Sequence, residues 1–242
     1  MPVRHCLVTG ANRGLGLEFA RQLLGQGCRV IATCRQPGRA TALNRLAAEH
    51  PGRLHVLPLD VAEARSRAEL ARELALVLDG ARLQLLINNA GVLHGGERFG
   101  HLDAGVLEDT LRTNTVGPLL LVQALAPLLA GLDTGDPDPA VVANLSSQLG
   151  SIGACTRFGT PSYAIAKAAQ NMASVQLGHA LAERGIRVVA LHPGWVATDM
   201  GGDQAPVAPA EAVAGLLRVI ERLDAVAGDV RFLDWRGQPL PW

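Results

Sequence analysis

Lysine and tyrosine are almost missing from this chain. Of its 22 basic residues 21 are arginine, so Lys167 stands alone, and Tyr163 is the single tyrosine. Aromatic residues make up 3% of the sequence, too few for the stacking platforms that bind single-stranded nucleic acid. Arg plus Lys balances Asp plus Glu at 22 each, which argues against a basic nucleic-acid surface and against an acidic tail. No CxxC pair and no Cys/His ligand spacing occurs, so no metal site is expected. Cys6, Cys28 and Cys34 lie in apolar, strand-like runs where a free thiol packs as a small hydrophobe; with Cys155 they make four thiols and point to a reducing, cytoplasmic setting. The most apolar run, Val116 to Leu132, is interrupted by Gly117, Pro118, Gln123 and Pro127 and reads as a buried helix, not a membrane span. Met1 to Gly10 enters a strand directly and shows no secretory-signal pattern. Finally, no Asp or Glu occurs between Glu18 and Glu49.

What is present is a regular alternation of strand and helix. Strands are expected over Val3–Thr9, Cys28–Thr33, Leu54–Leu59, Leu83–Ile87, Val141–Leu145, Arg187–Leu191 and Val230–Leu233. Helices are expected over Leu15–Leu24, Ala40–Ala48, Glu63–Leu78, Ala104–Leu129 in two stretches with Asn114 near their junction, from Tyr163 to Arg184, and Pro209–Leu223. Such repetition implies an α/β fold: a Rossmann-like, doubly wound parallel sheet of about seven strands with helices on both faces, spanning residues 1–242 as one domain. In that architecture ligands bind outside the carboxyl ends of the strands. The unusual residues stand at those ends: Gly10, Arg35, Asp60, Asn88 to Gly91, Ser147, and Pro193 to Thr198.

Gly10-xxx-Gly14-x-Gly16 separates the first strand from the first helix. Glycines there permit a tight turn and close approach of a diphosphate to the backbone, and the helix N-terminus supplies free N–H groups and positive partial charge. An acidic residue ending the second strand would bind the ribose hydroxyls of NAD; here Cys34 takes that place, Arg35 follows it, and Arg13 sits in the glycine loop. Two guanidinium groups and no carboxylate suit the 2′-phosphate of NADP(H), although both could be solvated surface arginines.

Tyr163 and Lys167 are four residues apart in an Ala-rich helix and share a face. An ammonium near a phenol stabilises phenolate and lowers the phenol pKa from about 10, giving a proton donor and acceptor. A core aromatic beside a solvated lysine is the competing reading of this stretch alone.

Together, Thr9-Gly10-Ala11-Asn12-Arg13-Gly14-Leu15-Gly16, Asn88-Asn89-Ala90-Gly91, Ser147, Tyr163-xxx-Lys167 and Pro193-Gly194 resemble the short-chain dehydrogenase/reductase family, in the family's order. The segments Leu191 to Gly202, Phe232 to Trp235 and Pro239 to Trp242 resemble its C-factor/sniffer-type carbonyl reductase branch. The resemblance implies an NADP(H)-dependent reduction of a ketone or aldehyde. Tyr163 would act as general acid/base, Lys167 would lower its pKa and hold the nicotinamide ribose, and Ser147 would polarise the substrate oxygen. Asn114 would hold a water linking Lys167 to solvent. Gly10, Asn12, Arg13, Gly14, Leu15 and Gly16 would cradle the diphosphate, with Asp60 and Val61 flanking adenine. Asn88, Ala90 and Gly91 would line the cleft, and Pro193, Gly194, Val196 and Thr198 would surround the nicotinamide. Sixteen positions separate Ser147 from Tyr163, more than is common in the family, so Ser146 and Ser151 stay as alternatives. Leu149, Phe158, Trp195 and Met200 are candidate pocket walls, and His192 is expected as a strand-end core histidine. The resemblance also implies a homodimer or homotetramer. It leaves open a nucleotide-binding signalling protein with little turnover as the alternative.

Overall fold

Short runs of Val, Ile, Leu and Ala, each closed by Gly, Asn, Asp or Ser, become the strands, and the amphipathic segments between them become the crossover helices. The computed structural model describes residues 4–223 and 226–242. In chain order the elements are β1 (His5–Thr9), α1 (Gly14–Gly25), β2 (Arg29–Cys34), α2 (Thr41–Glu49), β3 (Leu54–Pro58), α3 (Ala64–Leu78) and β4 (Leu85–Asn88). There follow α4 (Ala104–Leu111), α5 (Gly117–Leu125), β5 (Val141–Leu145), α6 (Pro161–Leu181), β6 (Arg187–His192), α7 (Pro209–Glu221) and β7 (Arg231–Asp234). The strands form one sheet in the order β3-β2-β1-β4-β5-β6-β7. Every neighbouring pair is parallel. This is the doubly wound, Rossmann-like sheet that the alternation predicts.

The two-residue period of a strand sorts the core into two layers. Cys6 and Val8 face one side, where they meet Phe19, Leu23, Leu43 and Leu216 of α1, α2 and α7. Leu7 and Ile31 face the other, against Leu70, Leu74, Leu121 and Leu177 of α3, α5 and α6. Burying both faces explains why the strands read as continuous apolar runs instead of alternating ones.

Several boundaries differ from expectation for local reasons. Of the expected first strand, Val3 lies outside the described residues, and β1 is seen from His5. Leu83 makes only an isolated parallel bridge to Leu129, so β4 begins at Leu85. The expected helix over Ala104–Leu129 is not uniform. A π turn, Arg112–Val116, separates α4 from α5, and the Gly117 N–H reaches back to the Arg112 carbonyl. Pro118, which has no N–H to continue the helical ladder, follows at once. Asn114 sits inside this π turn and is fully buried. The last helix ends at Glu221, before Leu223, and β7 is shifted by one residue to Arg231–Asp234. Among the described residues no helix is long and apolar enough to cross a membrane.

The turn from β1 into α1 is closely packed at Gly10 and Gly16. Gly10 adopts φ of +64°, and a Cβ on Gly16 would lie 2.3 Å from the Gly10 carbonyl oxygen. Gly16→Ala is expected to destabilise the protein by about 1–3 kcal/mol in urea denaturation through overpacking against backbone. Gly25→Ala, with nothing within 4 Å of its added methyl, should leave stability unchanged or raised. Equal effects of the two changes would contradict this reading of the turn.

Candidate active site

A cleft of about 950 Å³ runs along the carboxyl ends of the strands, from the glycine loop to the segment after β6. It opens where the strand order reverses between β1 and β4. Thr9 and Asn89 hold that junction together. The Thr9 hydroxyl accepts from the Asn89 and Ala90 N–H groups, both at 3.0 Å. The Asn89 side-chain amide donates to the carbonyls of Thr9 (2.8 Å) and Gly10 (3.1 Å). No side chain caps the start of α1, and its first turn carries no acid, so its N–H groups remain available to an anion.

Positive charge gathers beside this loop. Arg13, Arg35 and Arg39 all line the cleft. Arg39 was not expected from the sequence, because Pro37–Gly38 reads as a plain turn; it lies on a 3₁₀ turn, four positions beyond Arg35. Arg13 is already paired, at 2.6 Å with Asp199, and both side chains are about two-thirds exposed or more. The Asp60 carboxylate accepts from the Ala62 N–H at 3.0 Å, which fixes the turn after β3 at the cleft wall.

At the other end stand Tyr163 and Lys167. The buried face of α6 carries Tyr163, Lys167, Gln170 and Ser174, at helical spacing. Lys167 Nζ donates to the Leu145 carbonyl at 2.6 Å and to Gln170 Oε1 at 2.8 Å, and lies 5.5 Å from the centre of the Tyr163 ring. Gln170 belongs to no motif in the sequence, although its i+3 position puts it on the same face.

The expectation that Lys167 acidifies Tyr163 is corrected here. Burial pushes the Tyr163 phenol up to about 12, with the hydrogen bond from Ser147 acting in the opposite direction. Burial likewise pushes Lys167 down to about 7. Both groups have left water, and the resulting penalty on their charged forms outweighs what one gives the other.

Ser147 is the serine that reaches Tyr163. The two alternatives are engaged elsewhere. Ser146 donates to Asn171 Oδ1 at 2.6 Å, and the Ser151 hydroxyl accepts from the Ala154 N–H at 3.1 Å. The longer spacing is taken up by the loop between the 3₁₀ turn Gln148–Gly150 and α6. Asn114 holds the main chain of Val92 through its amide, accepting from the N–H and donating to the carbonyl, each at 2.8 Å.

Gly10, Asn12, Arg13, Gly14, Leu15, Arg35, Asp60, Val61, Ala90, Gly91, Tyr163, Lys167, Pro193 and Thr198 line the cleft. Gly16, Gly194 and Val196 stand behind that wall: Gly194 backs onto Trp235, and Val196 bridges to Val207. Asn88 points into the sheet and not into the cleft. Its amide donates to Asn144 Oδ1 at 2.8 Å, and Asn144 donates in turn to Ser174 Oγ at 2.8 Å. Asn89 takes its place at the cleft wall. Of the expected apolar walls, Met200 lines the cleft. Leu149, Phe158 and Trp195 are exposed around it, and Phe158 meets Phe99 edge-on with centroids 6.0 Å apart. His192 is, as expected, a buried strand-end histidine whose pKa burial lowers to about 4, so it is neutral; its Nδ1 finds no hydrogen-bond partner among the described residues.

A family model described as short chain dehydrogenase matches residues 4–207. The chain belongs to the short-chain dehydrogenase family. Among solved members, the NADPH-bound carbonyl reductase from chicken fatty liver is 38% identical, with a TM-score of 0.91 and full coverage of both chains. The carbonyl reductase Sniffer of D. melanogaster is 35% identical, with a TM-score of 0.93 and full coverage of both. A 1-hydroxy-2-glutathionyl-2-methyl-3-butene dehydrogenase of Rhodococcus sp. (strain AD45) is 34% identical over 95% of this chain and 98% of its own. The match to short-chain dehydrogenases thus covers the glycine loop, the Tyr163–Lys167 helix and the sheet through β6, and the solved members extend it over α7 and β7.

The buried lysine makes stability depend on pH with a definite sign. The unfolded chain keeps the Lys167 proton up to the ordinary value of 10.5, whereas the folded chain releases it above about 7. In that window the unfolded state binds more protons, so the folded state gains as pH rises. Urea denaturation of wild type and Lys167→Met is expected to show the difference moving in favour of wild type from pH about 7 to about 10. A pH-independent difference would show that the amine is not held in this way.

Proposed function

We propose that this protein reduces a ketone or aldehyde to an alcohol with NADP(H), all 242 residues acting as one dinucleotide-binding domain. The observation that carries the proposal is the phenol of Tyr163, held protonated by burial at the cleft wall, with Lys167 on the same helix face 5.5 Å from its ring. A neutral phenol is the form that donates a proton to a carbonyl oxygen. The same group takes the proton back when the alcohol is oxidised. Ser147 would share that oxygen with Tyr163, and Lys167, oriented by the Gln170 and Leu145 carbonyl oxygens that accept from it, would return a proton to the phenol and regain one from solvent in the cleft it lines.

The residues of the cleft fit NADP(H). Gly10, Gly14 and the uncapped start of α1 leave room and N–H donors for a diphosphate. Cys34 ends β2 where a carboxylate would repel a 2′-phosphate, and Arg13, Arg35 and Arg39 surround that place. Asp60 and Val61 would border the adenine, and Pro193 and Thr198 the nicotinamide. The cofactor supplies the hydride; the protein supplies position, exclusion of water and the proton. The NADPH-bound chicken carbonyl reductase, which this chain resembles over its full length, supports the choice.

A paired assembly is supported by the outer side of α6. Ile165 and Met172, seven residues apart on that helix, and Val116 on the π turn are large apolar residues left exposed in the single chain. The four free cysteines suit a cytoplasmic, reducing setting.

NADPH absorbance followed against a panel of ketones and aldehydes tests the proposal. Wild type should turn over at least one, and Tyr163→Phe should lose about 10²–10⁴-fold in kcat while binding NADPH as before. A wild type that binds NADPH tightly and turns over nothing would overturn the reading in favour of a nucleotide-binding signalling role. Because Asp199 competes for Arg13, Asp199→Asn is expected to tighten NADPH about two- to fivefold in calorimetric titration, the scale of an exposed ion pair. Weaker binding would show that Asp199 instead helps to form the site.

A further inference from the structure

The helix that carries Tyr163 begins without a cap of its own. Thr160, at its N-cap position, is in the left-handed region with φ of 42°, and its side chain makes no capping hydrogen bond. Pro161 and Ser162 follow, and Ser162 is buried immediately beside Tyr163. The missing cap comes from 65 residues away. Glu97, in the loop between β4 and α4, accepts from the Ser162 N–H at 3.3 Å and, through its other carboxylate oxygen, from the Ser162 hydroxyl. A carboxylate at this end of the helix is also favoured by the helix dipole.

The loop that carries Glu97 is itself pinned. Both main-chain groups of Val92 are bonded to Asn114. His94 Nε2 lies 3.1 Å from Asp109 Oδ2 on α4. Phe99 meets Phe158, from the loop that leads into α6. The segment over residues 92–99 therefore runs as a strap from the cleft wall to the first turn of α6, anchored at both ends. Neither the motifs nor the cleft wall include Glu97.

We propose that Glu97 is a positioning residue: by clamping Ser162 it fixes the first turn of α6 and so the placement of Tyr163 against Ser147 and the substrate oxygen. This rests on the carbonyl-reducing role of Tyr163. The cost of misplacing a proton donor by a fraction of an ångström falls on kcat, because the donor is needed only as the oxygen becomes basic.

The test compares Glu97→Ala, Glu97→Gln and Ser162→Ala with wild type. Gln can keep the clamp: its carbonyl can accept from the Ser162 N–H while its NH₂ donates to the hydroxyl oxygen. Glu97→Ala is expected to lower kcat about tenfold with NADPH affinity unchanged, and Glu97→Gln to recover wild-type kcat within about twofold. If Glu97→Ala does not fold, Ser162→Ala removes the hydroxyl half of the clamp alone and should lower kcat in the same direction. Hydrogen exchange of the amides from Ser162 to Ile165, read by mass spectrometry, gives a measure independent of turnover. Protection should fall in Glu97→Ala and return in Glu97→Gln. An unchanged kcat in Glu97→Ala, or a Gln variant as slow as the Ala variant, would overturn the positioning role. Should wild type itself turn over no carbonyl, the functional reading fails, and unchanged exchange in Glu97→Ala would then separately remove the clamp.

Discussion

The site depends on one junction, the place where strand order reverses between β1 and β4. Two parallel strands that lead their helices to opposite faces leave a crevice at their carboxyl ends. Here the crevice is held at a fixed width by Thr9 and Asn89, whose side chains make five hydrogen bonds across it. The same contacts set how closely α1 can approach, because a Cβ on Gly16 would collide with the Gly10 carbonyl and with the Asn89 amide. The free start of α1 adjoins that joint.

Desolvation governs the reactive end. Tyr163 and Lys167 are brought to one face of α6 by helical spacing, but their ionisation is set by the sheet they are pressed against. Lys167 is 4% exposed and makes its hydrogen bonds to a main-chain carbonyl and to Gln170. A buried pair of this kind keeps the phenol as the acid and the amine close to losing its proton near neutrality. The helix that holds them is bonded at its start by a carboxylate from a distant loop, well outside the motif.

Much of this was legible from the residues, and what was not has physical causes. Periodicity and strand-end residues carried the parallel sheet, and the glycine spacing carried the turn into α1, because local backbone requirements write themselves into local sequence. Direction was harder. Asn88 and Asn89 are neighbours in a strand end, and only the pleat decides that Asn88 faces Asn144 in the sheet while Asn89 faces the cleft. The π turn at Asn114 depends on i+5 hydrogen bonding that no composition signal announces. Arg39 and Glu97 act across turns and loops, where spacing carries no period. The sign of the Tyr163 shift is not legible in the residues, because charge proximity is visible in a sequence and depth of burial is not.

Tyr163 being held as the neutral acid is the centre of this picture, and its being the single tyrosine makes it directly measurable. Ultraviolet titration of phenolate absorbance in the apoprotein, with circular dichroism to confirm the fold at each pH, reports this one group. The phenol should stay un-ionised well past the ordinary value near 10 and titrate at about 12, or only when the chain unfolds. Ionisation of Tyr163 at or below about 10 in the folded protein would contradict burial as the controlling influence and restore Lys167 to that role.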